Sequence, residues 1–170
     1  MRAVCLAGPS DSGKTTLVEK LVPRLAEAGR VATVKSIHHD IEIDTPGADT
    51  HRHRTAGAET VVGVTPELTI DITARGKEEP PREPDADYFE TTDSELRALS
   101  RVLTRLDRRG YDVVLVEGFA EAPLPTILVG DRDPDAVGGE VVGRGRDDLA
   151  TLVETVLALD PLEERSADGD

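Results

Sequence analysis

Aromatic residues and cysteine are scarce in this sequence: its 170 residues include two tyrosines, two phenylalanines, one cysteine and no tryptophan. We therefore expect an interior built from valine, leucine, isoleucine and alanine, and a chain of this length can bury one. The single cysteine, Cys5, excludes an internal disulfide, and its place in an apolar run indicates a buried thiol. No run approaches the ~20 apolar residues of a membrane-spanning helix, and the start shows no signal-peptide pattern, so we expect a cytoplasmic protein without a membrane partner.

Positive charge is also in short supply. The sequence has 20 basic residues against 34 acidic ones, a formal net charge of -14, and only four of the basic residues are lysines. Because this excess would repel a phosphate backbone, it argues against general binding of DNA or RNA. Abundant carboxylate with little lysine is typical of a halophilic protein, in which salt screens the self-repulsion; an ordinary acidic protein from a GC-rich genome is the alternative.

Apolar periodicity predicts an α/β fold. Strand, helix and strand follow one another over residues 2–34, which is the βαβ unit of a parallel sheet. We therefore predict a mainly parallel sheet flanked by helices. The predicted strands lie at 2–7, 31–34, 113–116 and 126–129, and the predicted helices lie at 17–25, 96–106 and 149–157.

Two further segments complete the predicted organisation. Thr60–Val64 and Leu68–Thr73 are β-like runs joined by a turn, which predicts a small β-hairpin insertion at about 58–75. Residues 77–95 are acidic and contain three prolines, which predicts an exposed loop over 77–93, and Thr92 and Glu95 have the spacing of a capping box. We expect one domain over residues 1–160 and a disordered acidic tail over 161–170.

The most specific motif matches G-x-x-x-x-G-K-[ST] in full, between a predicted strand and a predicted helix, in the run Gly8-Pro9-Ser10-Asp11-Ser12-Gly13-Lys14-Thr15. Its glycines let successive backbone N–H groups point at phosphate oxygens, and the helix adds the positive end of its dipole. We expect Lys14 to reach the β- and γ-phosphates and Thr15 to place its hydroxyl on Mg²⁺. The motif predicts a P-loop NTPase-type fold; a chance glycine-rich loop is the alternative.

Two acids are candidates for the metal site. Glu117 follows the aliphatic residues 113–116, so it emerges at the carboxyl end of a buried strand, where ligands of parallel sheets collect. A surface glutamate at the start of a loop is the alternative. Asp44 begins an Asp-Thr-Pro-Gly segment, which favours a turn, but it also lies where P-loop proteins place residues that sense the γ-phosphate. Both interpretations of Asp44 stay open.

These motifs occur in the order found in a known family. After the P-loop come Val34-Lys35-x-x-His38-His39-Asp40, Asp44-Thr45-Pro46-Gly47-x-Asp49-Thr50, Arg54-x-Ala56-Gly57-Ala58 and Val116-Glu117-Gly118-Phe119. From about residue 2 to residue 130, the sequence closely resembles the MobB family of molybdopterin-guanine dinucleotide biosynthesis proteins.

The resemblance implies a GTP-binding homodimer whose own Mg²⁺-dependent GTP hydrolysis is weak. It also implies that the protein assists the step that joins GMP to the pterin of the molybdenum cofactor, alongside a MobA-type guanylyltransferase. Together with the P-loop motif, it assigns the nucleotide and the metal to Gly8, Pro9, Ser10, Asp11, Ser12, Gly13, Lys14, Thr15, Thr16, Lys35, His39, Asp44, Asp49, Arg54 and Glu117. Among these, Thr15, Asp44 and Glu117 are the implied metal ligands, and Lys14, Asp44 and Glu117 are the implied catalytic residues.

The sequence departs from the family in places. Many relatives have histidine where Ser36 stands, and many have lysine or arginine where Ala120-Glu121 stands, so a positive charge near an anionic substrate is missing. Base selectivity is weakly encoded: the Gly-Asp-Arg-Asp segment at 130–133 lacks the lysine of the guanine motif Asn/Thr-Lys-x-Asp, and either of its aspartates is a candidate. Guanine as the base therefore rests on the resemblance.

Three other functions compete with this interpretation. Four histidines suggest a metal-chaperone GTPase, but His51 and His53 are poorly spaced to chelate one ion. A small-molecule kinase would need an arginine-bearing lid, whereas the 77–95 segment is acidic. A non-catalytic adaptor would bind GTP only to set its shape and to present a surface to the transferase. Turnover distinguishes them, since a kinase phosphorylates an acceptor and an adaptor barely turns over.

Overall fold

The computed structural model describes residues 1–74, 76–77, 88–89 and 91–163. Within these ranges the strands are β1 (Arg2–Ala7), β2 (Val31–Lys35), β3 (Thr60–Val64), β4 (Thr69–Thr73), β5 (Val113–Glu117), β6 (Thr126–Leu128) and β7 (Val141–Arg144). The α-helices in the same ranges are α1 (Lys14–Leu25), α2 (Asp49–Thr55), α3 (Ser94–Arg108) and α4 (Leu149–Ala158), and a 3₁₀ turn spans Pro134–Ala136. The described residues of Met1–Ser36 and Pro84–Asp170 form one compact unit, and those of Ile37–Glu83 form a second.

The first unit is built on a five-stranded sheet in the order β2-β5-β1-β6-β7. Every neighbouring pair in it is parallel, which confirms the predicted α/β class. Because the strands are parallel, the carboxyl ends of β1, β2 and β5 lie at the same edge of the sheet. At that edge Lys35 is the register partner of Glu117.

The two faces of this sheet bury separate apolar clusters. Successive side chains of a strand point to opposite faces, so Ala3 and Cys5 contribute to one cluster and Val4 and Leu6 to the other. The first cluster includes Leu99 and Leu103 of α3. The second is covered by α1 and α4 through Leu17, Leu21, Leu25, Leu152 and Val156.

Phe89 corrects the prediction for the acidic segment. This side chain is 5% exposed and belongs to the cluster of α3. Beside it, the Tyr88 N–H donates to Ser100 Oγ at 3.0 Å, and the Tyr88 hydroxyl donates to Asp107 Oδ2 at 3.1 Å. The prediction of an exposed loop was therefore wrong for these two residues, because burial of the Phe89 ring and partial burial of Tyr88 outweigh the acidic character of their neighbours. Residues 78–87 and 90 lie outside the described residues.

Two predicted chain boundaries also differ from the structure. The carboxylate of Asp93 accepts hydrogen bonds from the N–H groups of Glu95 and Leu96, at 2.8 and 2.9 Å, so Asp93 and not Thr92 caps α3. Near the carboxyl end of the chain, the Leu162 N–H donates to Met1 O at 2.8 Å. Leu162 is therefore ordered, although the predicted disordered tail included it. Residues 164–170 lie outside the described residues.

The second unit contains the predicted hairpin. β3 and β4 pair antiparallel over their whole lengths, from the Thr60–Thr73 pair to the Val64–Thr69 pair. Helix α2, which the apolar periodicity did not predict, packs on β3. One face of the hairpin is open, since Val62 and Val64 are 56% and 78% exposed. None of the helices in the described part of the chain combines the length and the apolar composition that crossing a bilayer requires.

Candidate functional site

The predicted phosphate loop connects β1 to α1. Gly13 is the N-cap of α1, and its φ of +93° is a left-handed conformation that glycine adopts without strain. The Gly13 carbonyl accepts the Leu17 N–H at 2.9 Å, which starts the helix. Asp11 also has a positive φ, 58°, so the backbone turns sharply twice between Gly8 and the helix. The free N–H groups at the start of α1, with the positive end of its dipole, favour an anion here.

The side chain of Lys14 lies across its own loop. Its ammonium group donates to the carbonyl oxygen of Gly8 at 2.9 Å and to that of Pro9. The lysine therefore places its positive charge beside the backbone turn that precedes α1. A phosphate bound there would meet this ammonium group and the helix N-terminus together.

Three side chains converge beside the loop. The Thr15 hydroxyl donates to Glu117 Oε1 at 3.0 Å, with Oε2 at 3.2 Å, and Lys35 Nζ donates to Oε1 at 2.9 Å. The Glu117 side chain is 12% exposed, whereas that of Lys35 is 55% exposed. Thr15 comes from the first turn of α1, Lys35 from the end of β2 and Glu117 from the end of β5. A hydroxyl and a carboxylate oxygen are hard ligands of the kind that Mg²⁺ prefers, so this pair fits a magnesium site.

The loop after β6 supports the phosphate loop from one side. The Val129 N–H donates to Ala7 O at 2.8 Å, and a β-carbon at Gly130 would lie 3.1 Å from Ser12 Cβ. Gly130 has a φ of +72°, so this turn also needs glycine. The Asp133 carboxylate accepts the Asp135 N–H at 3.0 Å and caps the 3₁₀ turn. The contact of this loop with residues 8–13 was not predicted from the sequence, in which Gly130 indicates only a tight turn.

Ser36 is an internal structural contact. The residue is 8% exposed, and its hydroxyl donates to Glu95 Oε1 at the start of α3. Its N–H donates to Glu117 O at 2.9 Å, which extends the pairing of β2 with β5 by one residue. Ser36 thus helps to hold the backbone of Glu117 in place.

Asp44 holds a turn within the second unit. Its Oδ1 accepts the Thr50 hydroxyl at 3.0 Å and the Thr45 N–H at 2.8 Å, which ties the loop to the first turn of α2. Its Oδ2 is buried and has no hydrogen-bond partner among the described residues. These contacts support the turn interpretation.

Arg54 forms an ion pair within the same unit. Its terminal nitrogen donates to both carboxylate oxygens of Glu42 at 2.6 Å. The Asp44 N–H also donates to Glu42, and this bond and the Arg54 guanidinium together lower the pKa of the Glu42 carboxyl below its usual range. Two other predicted residues, His39 and Asp49, are exposed, and Asp49 lies 3.5 Å from the guanidinium of Arg52.

The histidines give no metal cluster in the described ranges. His51 Nδ1 accepts the Gly47 N–H at 3.3 Å, and its Nε2 lies 3.8 Å from Glu42 Oε2. Over the described residues, no three histidine, cysteine, aspartate or glutamate side chains gather closely enough to hold an ion.

The parallel sheet, with a glycine-rich loop that joins its central strand to an α-helix, has the P-loop NTPase-like α/β fold of solved MobB structures. A family model described as "MobB: Molybdopterin guanine dinucleotide synthesis protein B" matches residues 3–137. The chain belongs to the MobB family.

Relatives of known name share much of this sequence. A Haemophilus influenzae protein called "Molybdopterin-guanine dinucleotide biosynthesis adapter protein" is 36% identical over 125 residues, which are 73% of this chain and 60% of that protein. An Escherichia coli (strain K12) protein of the same name is 32% identical over 127 residues, 74% of this chain and 63% of that protein. The matched part of the chain thus spans less than two thirds of the length of these relatives.

Solved structures share the fold. A structure described as molybdopterin-guanine biosynthesis protein B is 25% identical, has a TM-score of 0.62, and covers 92% of this chain and 98% of its own. The structure of Bacillus subtilis MobB has a TM-score of 0.63 at 20% identity and covers 94% of this chain and 100% of its own. At that identity the second match shows the fold alone.

Proposed function

We propose that this chain binds GTP with Mg²⁺ and acts as an adapter in the conversion of molybdopterin cofactor to its guanine dinucleotide form. The contact between Thr15 and Glu117 carries the nucleotide part of this proposal. It joins the last residue of the P-loop motif to the acid at the end of β5, which are the two groups that a nucleotide-bound magnesium needs.

In this proposal the loop from Gly8 to Thr16 wraps the phosphates with its backbone N–H groups. Lys14 neutralises the β- and γ-phosphates, for which its position beside the loop is suited. A chain with a net charge of -14 needs such a local positive site to bind a triphosphate at all.

Thr15 and Glu117 would hold the metal, whose chemistry is to neutralise charge on the β- and γ-phosphates. We keep Asp44 as a proposed sensor of the γ-phosphate and ligand of its metal, since its Oδ2 is buried and unpaired among the described residues. Lys35, His39, Asp49 and Arg54 remain proposed pocket residues. Weak turnover is consistent with Glu117 already contacting Thr15, because a carboxylate held in this way acts as a ligand more readily than as a base.

The adapter part is supported by the names of the two relatives above. Its proposed partners are a MobA-type guanylyltransferase, molybdopterin cofactor and a second copy of this chain. An adapter of this kind binds GTP, presents a surface to the transferase and hydrolyses little GTP itself.

Calorimetric titration with GTP and with ATP, each with and without Mg²⁺, tests nucleotide binding. We expect Mg²⁺-dependent binding of GTP, and its loss in Lys14→Ala because the charge on the β/γ-phosphates is removed. Lys20→Ala is a matched control, since Lys20 is exposed on the same helix and should leave affinity unchanged. Unchanged GTP affinity in Lys14→Ala would reject the P-loop assignment.

A reconstituted reaction tests the adapter role. Purified chain is added to a MobA-type transferase with molybdopterin cofactor and GTP, and the guanine dinucleotide product and released phosphate are both measured. We expect more product with little phosphate release, and no stimulation by Lys14→Ala. Transfer of phosphate to an acceptor would instead support a kinase.

A further inference from the structure

We propose that Lys35 couples Mg²⁺ binding to the γ-phosphate, so that the site takes up the metal with a nucleoside triphosphate in preference to a diphosphate. The inference rests on the proposed nucleotide site and adds a specificity-determining residue to it.

The argument begins with one shared oxygen atom. Glu117 Oε1 accepts from the Lys35 ammonium at 2.9 Å and from the Thr15 hydroxyl at 3.0 Å. The pair Thr15 and Glu117 is the one that fits Mg²⁺. A divalent cation on these ligands would therefore share its carboxylate with a second positive charge, and the two cations would repel each other.

Of Thr15, Glu117 and Lys35, only Lys35 has a side chain that can move when a metal ion binds. Glu117 is largely buried at the end of β5, and Thr15 is fixed in the first turn of α1, whereas the Lys35 side chain is more than half exposed. Lysine also carries a compact charge on a flexible four-carbon chain. The metal is therefore accommodated by movement of the Lys35 ammonium away from Oε1.

The γ-phosphate supplies a new acceptor for that ammonium. Lys35 ends β2 at the sheet edge where Glu117 ends β5, so its side chain starts from the same edge as the metal ligands. With a triphosphate bound, the extra anionic group compensates both cations. A diphosphate lacks this group, so the ammonium stays on Glu117 and opposes the metal.

Lys14 cannot provide the same discrimination. Its ammonium contacts the carbonyl oxygens of Gly8 and Pro9, inside the loop that any bound phosphate chain would fill. It would meet the β-phosphate, which a diphosphate and a triphosphate both carry, and its hydrogen bonds are to these carbonyl oxygens and not to Glu117, so it does not compete with the metal for that carboxylate. Lys35, in contrast, contacts Glu117 from the end of β2. Lys14 would therefore serve phosphate binding, and Lys35 would control the metal held by Thr15 and Glu117.

The test compares affinities for GTP and GDP, each in Mg²⁺ and in EDTA, by calorimetry. In the wild type, Mg²⁺ should strengthen GTP binding much more than GDP binding. In Lys35→Gln this preference should fall by about tenfold, the size of one charge-assisted hydrogen bond. Lys35→Met repeats the test with another neutral side chain, and Lys35→Arg, which keeps the charge, should restore most of the preference.

Lys20→Gln is the matched control, because it removes one exposed positive charge from α1 and should leave the preference at the wild-type value. Thermal unfolding of each variant checks that the fold is intact. An unchanged preference in both neutral Lys35 variants, or an equal loss in Lys20→Gln, overturns the inference while the nucleotide site stands. A wild-type chain that binds neither nucleotide overturns the proposed function and the inference with it.

Discussion

Gly8 lies so close to the carbonyl oxygen of Val129 that a β-carbon on Gly8 would overlap this oxygen. The same β-carbon would lie 2.8 Å from Ser12 Oγ. The first residue of the phosphate loop is thus fixed against the loop that follows β6, and glycine is required there for space. Gly13 at the other end is different: a β-carbon on it would meet nothing within 4 Å, and only its φ requires glycine.

We expect Gly8→Ala to lower the free energy of unfolding by about 1–3 kcal/mol, the usual cost of overpacking, because a backbone oxygen cannot move without disturbing β6. Urea unfolding measures this change. Gly63→Ala is the control, since its nearest neighbour would be 3.6 Å away and its stability should stay within about 0.5 kcal/mol of the wild type. Equal stability of Gly8→Ala and wild type would show that the loop opens freely at residue 8.

The parallel sheet and the phosphate loop could be predicted because each has a local signal in the sequence. Aliphatic runs such as 113–116 mark buried strands, and the spacing of Gly8, Gly13 and Lys14 marks the loop. The contact of Lys35 with Glu117 has no local signal, since it depends on β2 lying beside β5 in the sheet order. The two residues are 82 positions apart in the sequence, so no short motif contains both of them.

The elements that were missed have weak patterns. β7 has four residues of intermediate burial and includes Gly143, so neither an apolar run nor an alternation marks it. α2 has seven residues, and none of them is buried, so apolar periodicity is absent. The burial of Phe89 depends on tertiary packing beneath α3, which the acidic composition around it conceals.

Stability at alkaline pH should report on Cys5. Burial raises the pKa of its thiol from 9.0 to about 12, and its Sγ donates to Gly118 O at 3.0 Å. Above pH 9 the unfolded chain loses this proton while the folded chain keeps it, so the free energy of unfolding should fall by up to about 1.4 kcal/mol per pH unit until pH reaches about 12. Below pH 9 the thiol contributes no slope.

Denaturant unfolding of wild type and Cys5→Ala at a series of pH values measures this contribution. The difference between the two slopes isolates the thiol, because the other titrating groups are common to both. Parallel curves above pH 9 would show that the thiolate is tolerated in the folded chain.

The open face of the hairpin predicts contact between two copies of the chain. Val62 and Val64 are exposed on one face of β3, and a two-stranded sheet has unpaired edges that readily associate. We expect a dimer by light scattering at micromolar concentration, and its dissociation by Val64→Asp. Thr151→Asp places the same charge at an exposed position of α4 and should leave the dimer intact. A monomeric wild type at that concentration contradicts this prediction.

Salt should stabilise the folded chain. With a net charge of -14, carboxylates repel one another in the compact state more than in the unfolded chain, and salt screens this repulsion. We expect the Tm to rise between about 0.1 M and about 2 M KCl. Sucrose of matched viscosity is the control for non-ionic effects. A constant or falling Tm in KCl argues for an ordinary acidic protein.

The two candidate acids should have separable roles in nucleotide binding. Glu117 follows the buried strand β5 and contacts Thr15, so its position does not depend on which nucleotide is bound. Glu117→Gln should therefore weaken the Mg²⁺-dependent binding of both GDP and GTP, by about tenfold or more for GTP, where a charged ligand of the metal is lost. Asp44→Asn keeps an oxygen to accept from Thr50 and Thr45 but removes the charge from the unpaired Oδ2. It should spare GDP and weaken only the response to GTP.

One titration series with both nucleotides on both variants decides the assignment, with Thr50→Val as the control for a broken turn. Equal losses for GDP and GTP in Asp44→Asn and Thr50→Val would make Asp44 a turn residue, and no loss in Glu117→Gln would remove it from the metal site.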